Sequence, residues 1–188
     1  MYTAICELES VSPISMSRAH ETPKLPGETD DAREARTWKE KGHYTKDGEV
    51  FIPAMAFKFS LAKAAKNMSL KIPGRGKTTY TKFFENGIQV LEGPILHGCS
   101  RETVRQQRVH ANSDGIRGSG KRVWRYFPTI DAWSAAVTYY VLADEINSEI
   151  FKSVLVHSGL FVGVGQFRPE NGGINGRFKL NKMDWKYV

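Results

Sequence analysis

Residues 159–178 read GLFVGVGQFRPENGGINGRF and place six glycines in eighteen positions, directly after an amphipathic segment. Glycine adopts positive φ and lets another backbone come close, at an entropic cost that a stable domain does not accept repeatedly without a reason. Arg168 and Arg177 lie among these glycines, and arginines together with backbone N–H groups are suited to phosphate. We therefore expect either a set of tight turns or the close approach of an anionic ligand.

Two known glycine motifs for nucleotide binding do not fit the spacing. The sequence Gly163-Val164-Gly165 lacks the third glycine of a dinucleotide fingerprint, because position 168 is arginine. Gly76-Lys77-Thr78 resembles the end of a P-loop, but the glycine required five positions earlier is Lys71. Both nucleotide-site classes are excluded.

The composition predicts one globular domain spanning residues 1–188. Hydrophobic residues make up 40% of the chain and charged residues 25%, which is typical of a soluble domain. The first residues lack the basic and apolar regions of a signal peptide and no apolar run approaches a membrane span, so we expect a cytoplasmic protein with no membrane partner. Cys6 and Cys99 are far apart, so we expect neither a zinc site nor a disulfide framework, and no cofactor.

The positive charge is concentrated in two windows. Residues 51–84 contain seven lysines or arginines and no acid, and residues 101–125 contain seven more against Glu102 and Asp114. These windows carry a net charge of +12, so the remainder of the chain is net −5. Segregation of this kind indicates a polyanionic partner more strongly than a uniform basic excess does.

Hydrophobic periodicity predicts a strand at 2–9, a basic helix at 53–68 and a helix capped at Asn147 or Ser148 and ending before Gly159. A short helix is predicted at 31–41, and long inserts near 12–49 and 70–121. Alternation at 123–130 and 133–142 predicts two successive strands, a further strand is expected at 87–96, and GRFKL at 176–180 is the last. Residues 98–121 are polar and glycine-containing, which suits a long loop or an extended hairpin. The order is strand, helix, strand, strand, helix, glycine-rich loop, strand.

This order, with the six glycines, Arg168 and Arg177 between the last helix and the last strand, resembles the RAMP superfamily. A weaker part of the resemblance is Ile52-Pro53-Ala54 leading into a basic helix, and the long inserts are most similar to backbone subunits of CRISPR effector complexes. The segments SRAHETPKL and HANSDG also resemble small phage and prophage proteins. The resemblance implies an α+β, ferredoxin-like core of the RNA-recognition type, with an antiparallel sheet, two helices and long inserted loops.

The resemblance further implies binding of single-stranded RNA or DNA through backbone and stacking contacts. It also suggests copies arrayed along the strand, and CRISPR effector subunits as protein partners. Sequence-tolerant single-strand binders combine cationic grooves with aromatic faces, and Trp124, Tyr126 and Phe127 interleave with arginines. Phe127 is also a candidate for the core, whereas Tyr80 lies among polar residues and is the better stacking candidate. The nucleic-acid-binding residues that we predict are Arg18, Lys58, Lys63, Lys66, Arg75, Lys77, Tyr80, Arg105, Arg108, Arg117, Arg122, Arg125, Gly163, Gly165, Arg168, Gly172, Gly173 and Arg177.

Two alternatives stay open. Some RAMP proteins cleave RNA without a metal, using histidine, tyrosine or lysine as general acid and base, and the histidine candidates here are His20, His43 and His110. None of them has a partner at a diagnostic spacing, so no catalytic residue is assigned. The other alternative is a phage protein that imitates a CRISPR subunit and binds its protein partners.

Overall fold

The elements of the chain were obtained from a computed structural model, which describes residues 1–113, 118 and 120–188. They are β1 (Tyr2–Ser10), β2 (Ile14–Ser15), α1 (Asp30–Thr37), β3 (Glu49–Phe51), α2 (Ala54–Met68), α3 (Thr81–Asn86), β4 (Ile88–Gln89), β5 (Ile95–Ser100), β6 (Arg105–Asn112), β7 (Arg122–Ile130), β8 (Ser134–Val141), α4 (Ser148–His157) and β9 (Phe178–Tyr187). None of the helices in these described ranges has the length and apolar character that a bilayer span requires.

A four-stranded antiparallel sheet with the order β4-β8-β1-β9 carries the core. Its strands alternate with two helices in the chain order β1, α2, β4, β8, α4, β9, so the strand-helix-strand-strand-helix-strand order is present, with β4 in place of residues 123–130 as the second strand. Cys6 of β1 lies opposite Val137 of β8 on one side and Met183 of β9 on the other. The ferredoxin-like, RNA-recognition-type fold is therefore confirmed.

One face of this sheet is covered by α2 and α4 and the other is open. In β1 the residues at even positions from Ala4 to Leu8 are buried, whereas Ile5 and Glu7 are exposed, because successive side chains of a strand point to opposite faces. The helices contribute Phe57, Leu61 and Ala64 from α2 and Phe151, Val154 and Leu155 from α4, all fully buried. Burial of this apolar face drives the association of the layers.

A second antiparallel sheet has the order β2-β7-β6. It takes β2 from the insert near 12–49 and β6 from the insert near 70–121. Its main part is the β6–β7 hairpin, in which Arg108 lies opposite Tyr126 and His110 opposite Trp124. We predicted residues 123–130 as a core strand, and that prediction is wrong: β7 pairs with β6 and β2, and only β8 enters the core sheet. The extended hairpin expected within 98–121 does exist, but its second strand is β7.

The strand predicted at 87–96 is divided between two sheets. Ile88 and Gln89 pair with β8 at the edge of the core sheet, whereas Ile95 pairs with Phe51 of β3. Pro94 accounts for the break, because proline has no N–H to donate to a ladder. Its carbonyl instead accepts a hydrogen bond from the Ile52 N–H, at 3.1 Å.

The insert at 12–49 contains a helical segment that packs against the hairpin. Thr29 caps α1 by accepting a hydrogen bond from the Ala32 N–H at 3.2 Å, and Asp30 and Asp31 occupy the first turn, where the helix dipole favours acids. A 3-10 turn, Trp38–Lys41, continues the helix. Both segments pack against β7, so the helix predicted at 31–41 is present and positions the hairpin.

Candidate nucleic-acid interface

The space beside several glycines of the segment is filled by neighbouring atoms of the protein itself. A Cβ at Gly165 would lie 2.6 Å from the Ser15 carbonyl oxygen, and one at Gly163 would lie 2.8 Å from Pro169 Cδ. At Gly176 the Val164 carbonyl oxygen occupies the place of a side chain. The close approach that the glycines permit is that of neighbouring backbone, so our expectation that they admit a phosphodiester backbone is corrected.

Gly172 and Gly173 build a tight turn within the same segment. Gly172 has φ of 75°, in the left-handed region, and donates its N–H to the Pro169 carbonyl at 2.8 Å. The Gly173 N–H donates to the Arg168 carbonyl at 3.1 Å, and the Phe167 carbonyl fills the space of its missing side chain. Their role in the structure is to close the loop.

The two arginines of the segment bond to the loop itself. Arg168 Nε donates to Glu170 at 2.9 Å and Nη1 to the Gly165 carbonyl at 3.3 Å. Arg177 Nε donates to the Leu160 carbonyl at 3.0 Å and Nη1 to the Ile174 carbonyl at 3.3 Å. Arg177 therefore ties the end of the loop to its beginning.

Several other predicted phosphate ligands are ion-paired to acids distant in sequence. Arg75 Nη1 lies 3.0 Å from Glu145 Oε1, and Lys63 Nζ lies 3.2 Å from Glu170 Oε1. Arg105 pairs with Asp131. The charge of the sequence windows did not reveal these ion pairs, because each acid is distant from its cation in the sequence and comes next to it only when the chain folds.

Seven of the predicted cations lie within ion-pair distance of no carboxylate in the described ranges. Arg122 is one of this group, although its Nη2 donates to the His110 carbonyl at 2.7 Å. Arg117 lies outside the described residues, so no placement is given for it. The group consists of Arg18, Lys58, Lys66, Lys77, Arg108, Arg122 and Arg177, of which Arg177 is bonded to the carbonyls of the glycine segment.

Tyr80 is a core residue, which corrects its assignment as a stacking residue. Only 6% of its surface is exposed, and it belongs to the main hydrophobic cluster. Residues 70–80 form a loop whose two ends are hydrogen-bonded to each other. The Ile72 N–H donates to the Thr78 carbonyl at 2.9 Å, and the Tyr80 N–H donates to the Leu70 carbonyl at 3.0 Å. This closure turns the ring inward immediately before α3.

The β6–β7 hairpin presents two faces of different character. Its inner face carries Arg105, Gln107, Arg125 and Phe127, and its outer face carries Gln106, Arg108, His110, Arg122, Trp124 and Tyr126, as strand alternation and the register require. Neither strand contains an acidic residue.

The inner face contacts α1, the 3-10 turn that follows it, and the glycine segment. Phe127 meets Phe167 edge to face, with ring centroids 5.3 Å apart, and Lys41 Nζ lies 4.6 Å from the Phe127 centroid. Glu34 of α1 accepts hydrogen bonds from Lys41 and, at 3.0 Å, from Arg125. Partial burial acts to raise the pKa of Glu34, but the two cations outweigh it and hold that pKa below its ordinary value.

The outer face carries a row of stacked planar side chains, called the cationic and aromatic ladder below, which consists of Arg108, His110, Trp124 and Tyr126. The guanidinium carbon of Arg108 lies 3.7 Å from the Trp124 ring centroid and 5.8 Å from that of Tyr126. The His110 ring lies against Trp124, with centroids 4.8 Å apart, and 38% of Trp124 remains exposed. Cations and aromatic rings thus alternate on a surface whose strands hold no carboxylate.

The three candidate histidines lie in separate environments. His43 packs against Phe51 with centroids 5.6 Å apart, and burial, with a smaller contribution from the nearby Arg18, lowers its pKa. His20 Nδ1 is buried without a hydrogen-bond partner, and His110 lies on the hairpin ladder. Within the described residues, no three His, Cys, Asp or Glu side chains come together as a metal ion would require.

Comparisons with known proteins concern the structure, because no family model matches the sequence and no curated protein does. The chain is similar to the crystal structure of Cmr6 from Pyrococcus furiosus, with a TM-score of 0.51 and 12% identity, over 96% of this chain and 99% of that one. It is also similar to a chain in the cryo-EM structure of the Type III-B Cmr-beta complex bound to cognate target RNA, with a TM-score of 0.50 and 12% identity. That match covers 98% of this chain and 60% of the other. The chain therefore shares its fold with Cmr6 and with that chain of the Cmr-beta complex.

Proposed function

We propose that this protein binds single-stranded nucleic acid, with RNA favoured over DNA, largely independently of sequence. The observation that carries the proposal is the outer face of the hairpin, where Arg108, Trp124, Tyr126 and His110 form a cationic and aromatic ladder. Each stack of a base on an aromatic side chain contributes roughly 1 to 3 kcal/mol, and every base has a face that can stack. Such a surface selects single strands, whose bases are free, over duplexes.

The charges of the hairpin support the outer face over the inner one. Arg105 and Arg125 on the inner face are already paired with Asp131 and Glu34. Arg108 and Arg122 on the outer face have no carboxylate partner among the described residues, so their charge is available to phosphate. An arginine guanidinium also stacks on an unpaired base.

RNA is favoured because a structurally similar chain belongs to a complex described as bound to its target RNA. On the same basis we propose RAMP-type effector subunits as protein partners and copies of this chain arrayed along the strand, in the cytoplasm. Co-purification that survives nuclease treatment would support the protein partners. Loss of the partners on nuclease treatment would show that the nucleic acid alone joins them.

The test is a titration of fluorescent RNA and DNA oligonucleotides at several salt concentrations. We expect Trp124→Ala to weaken binding roughly 5- to 150-fold, the range that corresponds to one lost stack. Arg108→Ala should weaken binding and reduce the log-log salt slope by about 0.7, the value for one phosphate contact with a single strand.

Arg105→Ala is the matched control, since Arg105 lies on the same strand but faces inward and is paired with Asp131. Equal effects of Arg105→Ala and Arg108→Ala would refute the outer face as the site. A wild-type protein that binds no oligonucleotide, or whose salt slope is near zero, would refute the function. Intact labelled RNA after incubation would weigh against the endoribonuclease alternative, and cleavage abolished by His110→Ala would favour it.

A further inference from the structure

A cleft of about 340 Å³ lies between α2 and the glycine segment, and none of its lining residues belongs to the β6–β7 hairpin. Phe59 and Lys63 line it from α2, and Gly165, Arg168 and Glu170 line it from the glycine segment. Its volume is within the range of small-ligand sites. Two cations and one aromatic ring therefore border a space that would hold one nucleotide unit.

Glu170 occupies the place that an anion would take in this cleft. Its carboxylate lies 2.9 Å from Arg168 Nε and 3.2 Å from Lys63 Nζ. Partial burial acts to raise the pKa of Glu170, but the hydrogen bonds from Arg168 and Lys63 outweigh it, so the carboxylate stays ionised at neutral pH. A single carboxylate thus neutralises both cations of the cleft.

Phe59 is the second feature that indicates a ligand. It lies in a helix whose neighbouring Ser60 and Leu61 are buried, yet 62% of Phe59 is exposed. A large exposed aromatic ring beside two cations matches the chemistry of a nucleotide, in which a base can stack and a phosphate can pair.

We propose that this cleft binds the phosphate of a nucleotide unit, with the base against Phe59, and that Glu170 is a built-in competitor for Lys63 and Arg168. The proposal rests on the nucleic-acid-binding function for its ligand class, but it concerns a separate site. Binding requires the Glu170 side chain to leave its two partners. Lys63 and Arg168 are 42% and 36% exposed, and partly exposed ion pairs are worth about 1 kcal/mol, so phosphate can replace the carboxylate.

Glu170→Gln tests the competition directly, because it removes the charge and keeps the shape. We expect this variant to bind a 12-nucleotide RNA about fivefold more tightly, the change that corresponds to one ion pair of about 1 kcal/mol. The log-log salt slope should steepen by about 0.7 to 1.4, since one or two further cations become available to phosphates. Glu85→Gln is the matched control, because it removes one charge from the exposed pair with Lys82, outside the cleft.

Phe59→Ala tests the stacking part, with Met55→Ala as its control, since Met55 is an exposed apolar residue of the same helix that does not line the cleft. We expect Phe59→Ala to weaken binding at least fivefold, and Met55→Ala to have no effect. Thermal unfolding followed by circular dichroism should show that both variants fold.

Titrations with adenosine monophosphate and with the RNA distinguish the source of the phosphate. If Phe59→Ala weakens binding of the monophosphate alone, the ligand of the cleft is a free nucleotide. If it weakens binding of the RNA alone, the ligand is a nucleotide unit of the strand. If Glu170→Gln and Glu85→Gln have equal effects and Phe59→Ala has none, the cleft site is overturned. Such a result would leave the hairpin proposal intact wherever Trp124→Ala still weakens binding, so the two failures are distinguishable.

Discussion

Glu34 provides the most demanding test of how the hairpin is held in place. It is the one carboxylate, among the described residues, that contacts both Lys41 and Arg125. Its side chain is 15% exposed and that of Lys41 is 10% exposed, so most of the pair is removed from water. Substitution Glu34→Ala leaves the Lys41 ammonium buried without a counter-charge.

The expected loss of stability follows from this partial burial. Breaking a fully buried ion pair costs about 3 to 5 kcal/mol, and an exposed pair about 0 to 1 kcal/mol. Lys41 keeps its hydrogen bond to the Tyr126 carbonyl, at 3.0 Å, and its position over the Phe127 ring, which offset part of the cost. We therefore expect Glu34→Ala to lower the free energy of unfolding by about 2 to 3 kcal/mol, and Tm by about 5 to 10 °C.

Urea unfolding followed by tryptophan fluorescence measures this loss, with the double variant Glu34→Leu/Lys41→Met as the comparison. Removing both charges together avoids the unpaired ammonium, so the double variant should regain most of the stability. A loss below about 0.5 kcal/mol for Glu34→Ala, typical of a surface substitution, would refute the anchoring role. A double variant as unstable as the single one would show that packing, and not the unpaired charge, is responsible.

Three further outcomes are expected. Gly176→Ala should sharply reduce soluble expression and lower Tm, because φ is 75° and the new Cβ would collide with the Val164 carbonyl; a normal Tm would contradict this. Since the pKa of Glu34 lies below its ordinary value of 4.5, its contribution to stability is present above that pH and is lost as pH falls below it. Wild type should thus lose more stability than Glu34→Gln between about pH 5 and 3, and parallel unfolding curves in that range would contradict this. Burial raises the pKa of the Cys6 thiol to about 12, so a thiol reagent should label Cys99 slowly and Cys6 only on unfolding, as mass spectrometry would show; labelling of native Cys6 would contradict it.

The strands and helices of the core could be predicted from the sequence because their signals are local. The alternation at 2–9 reflects one buried face, and Asn147 caps α4 by accepting a hydrogen bond from the Ile150 N–H at 2.9 Å. Residues 123–130 show the limit of this reasoning. Alternation indicates a strand but does not say which strand it pairs with. β7 pairs with β2 and β6 rather than with a strand of the core sheet.

The functional surface was less predictable than the fold. Arg75, Arg105 and Arg125 looked equivalent to Arg108 in sequence, since each lies in a basic window. Their acidic partners are 26 to 91 residues away in the chain, so only folding separates paired from available cations. Burial of Tyr80 has the same origin, because a ring among polar residues was turned inward by hydrogen bonds with a neighbouring segment.

The sequence by itself determined that residues 159–178 would form a sharply turned segment after the last helix, since glycine alone reaches those backbone angles without strain. It also determined that the chain would carry concentrated positive charge. Only the tertiary structure decided what comes close to the glycines, which is the backbone of residues such as Ser15 and Val164. It likewise decided that the exposed cationic and aromatic ladder lies on one face of the hairpin, because strand register and distant acids select which side chains remain open to a ligand.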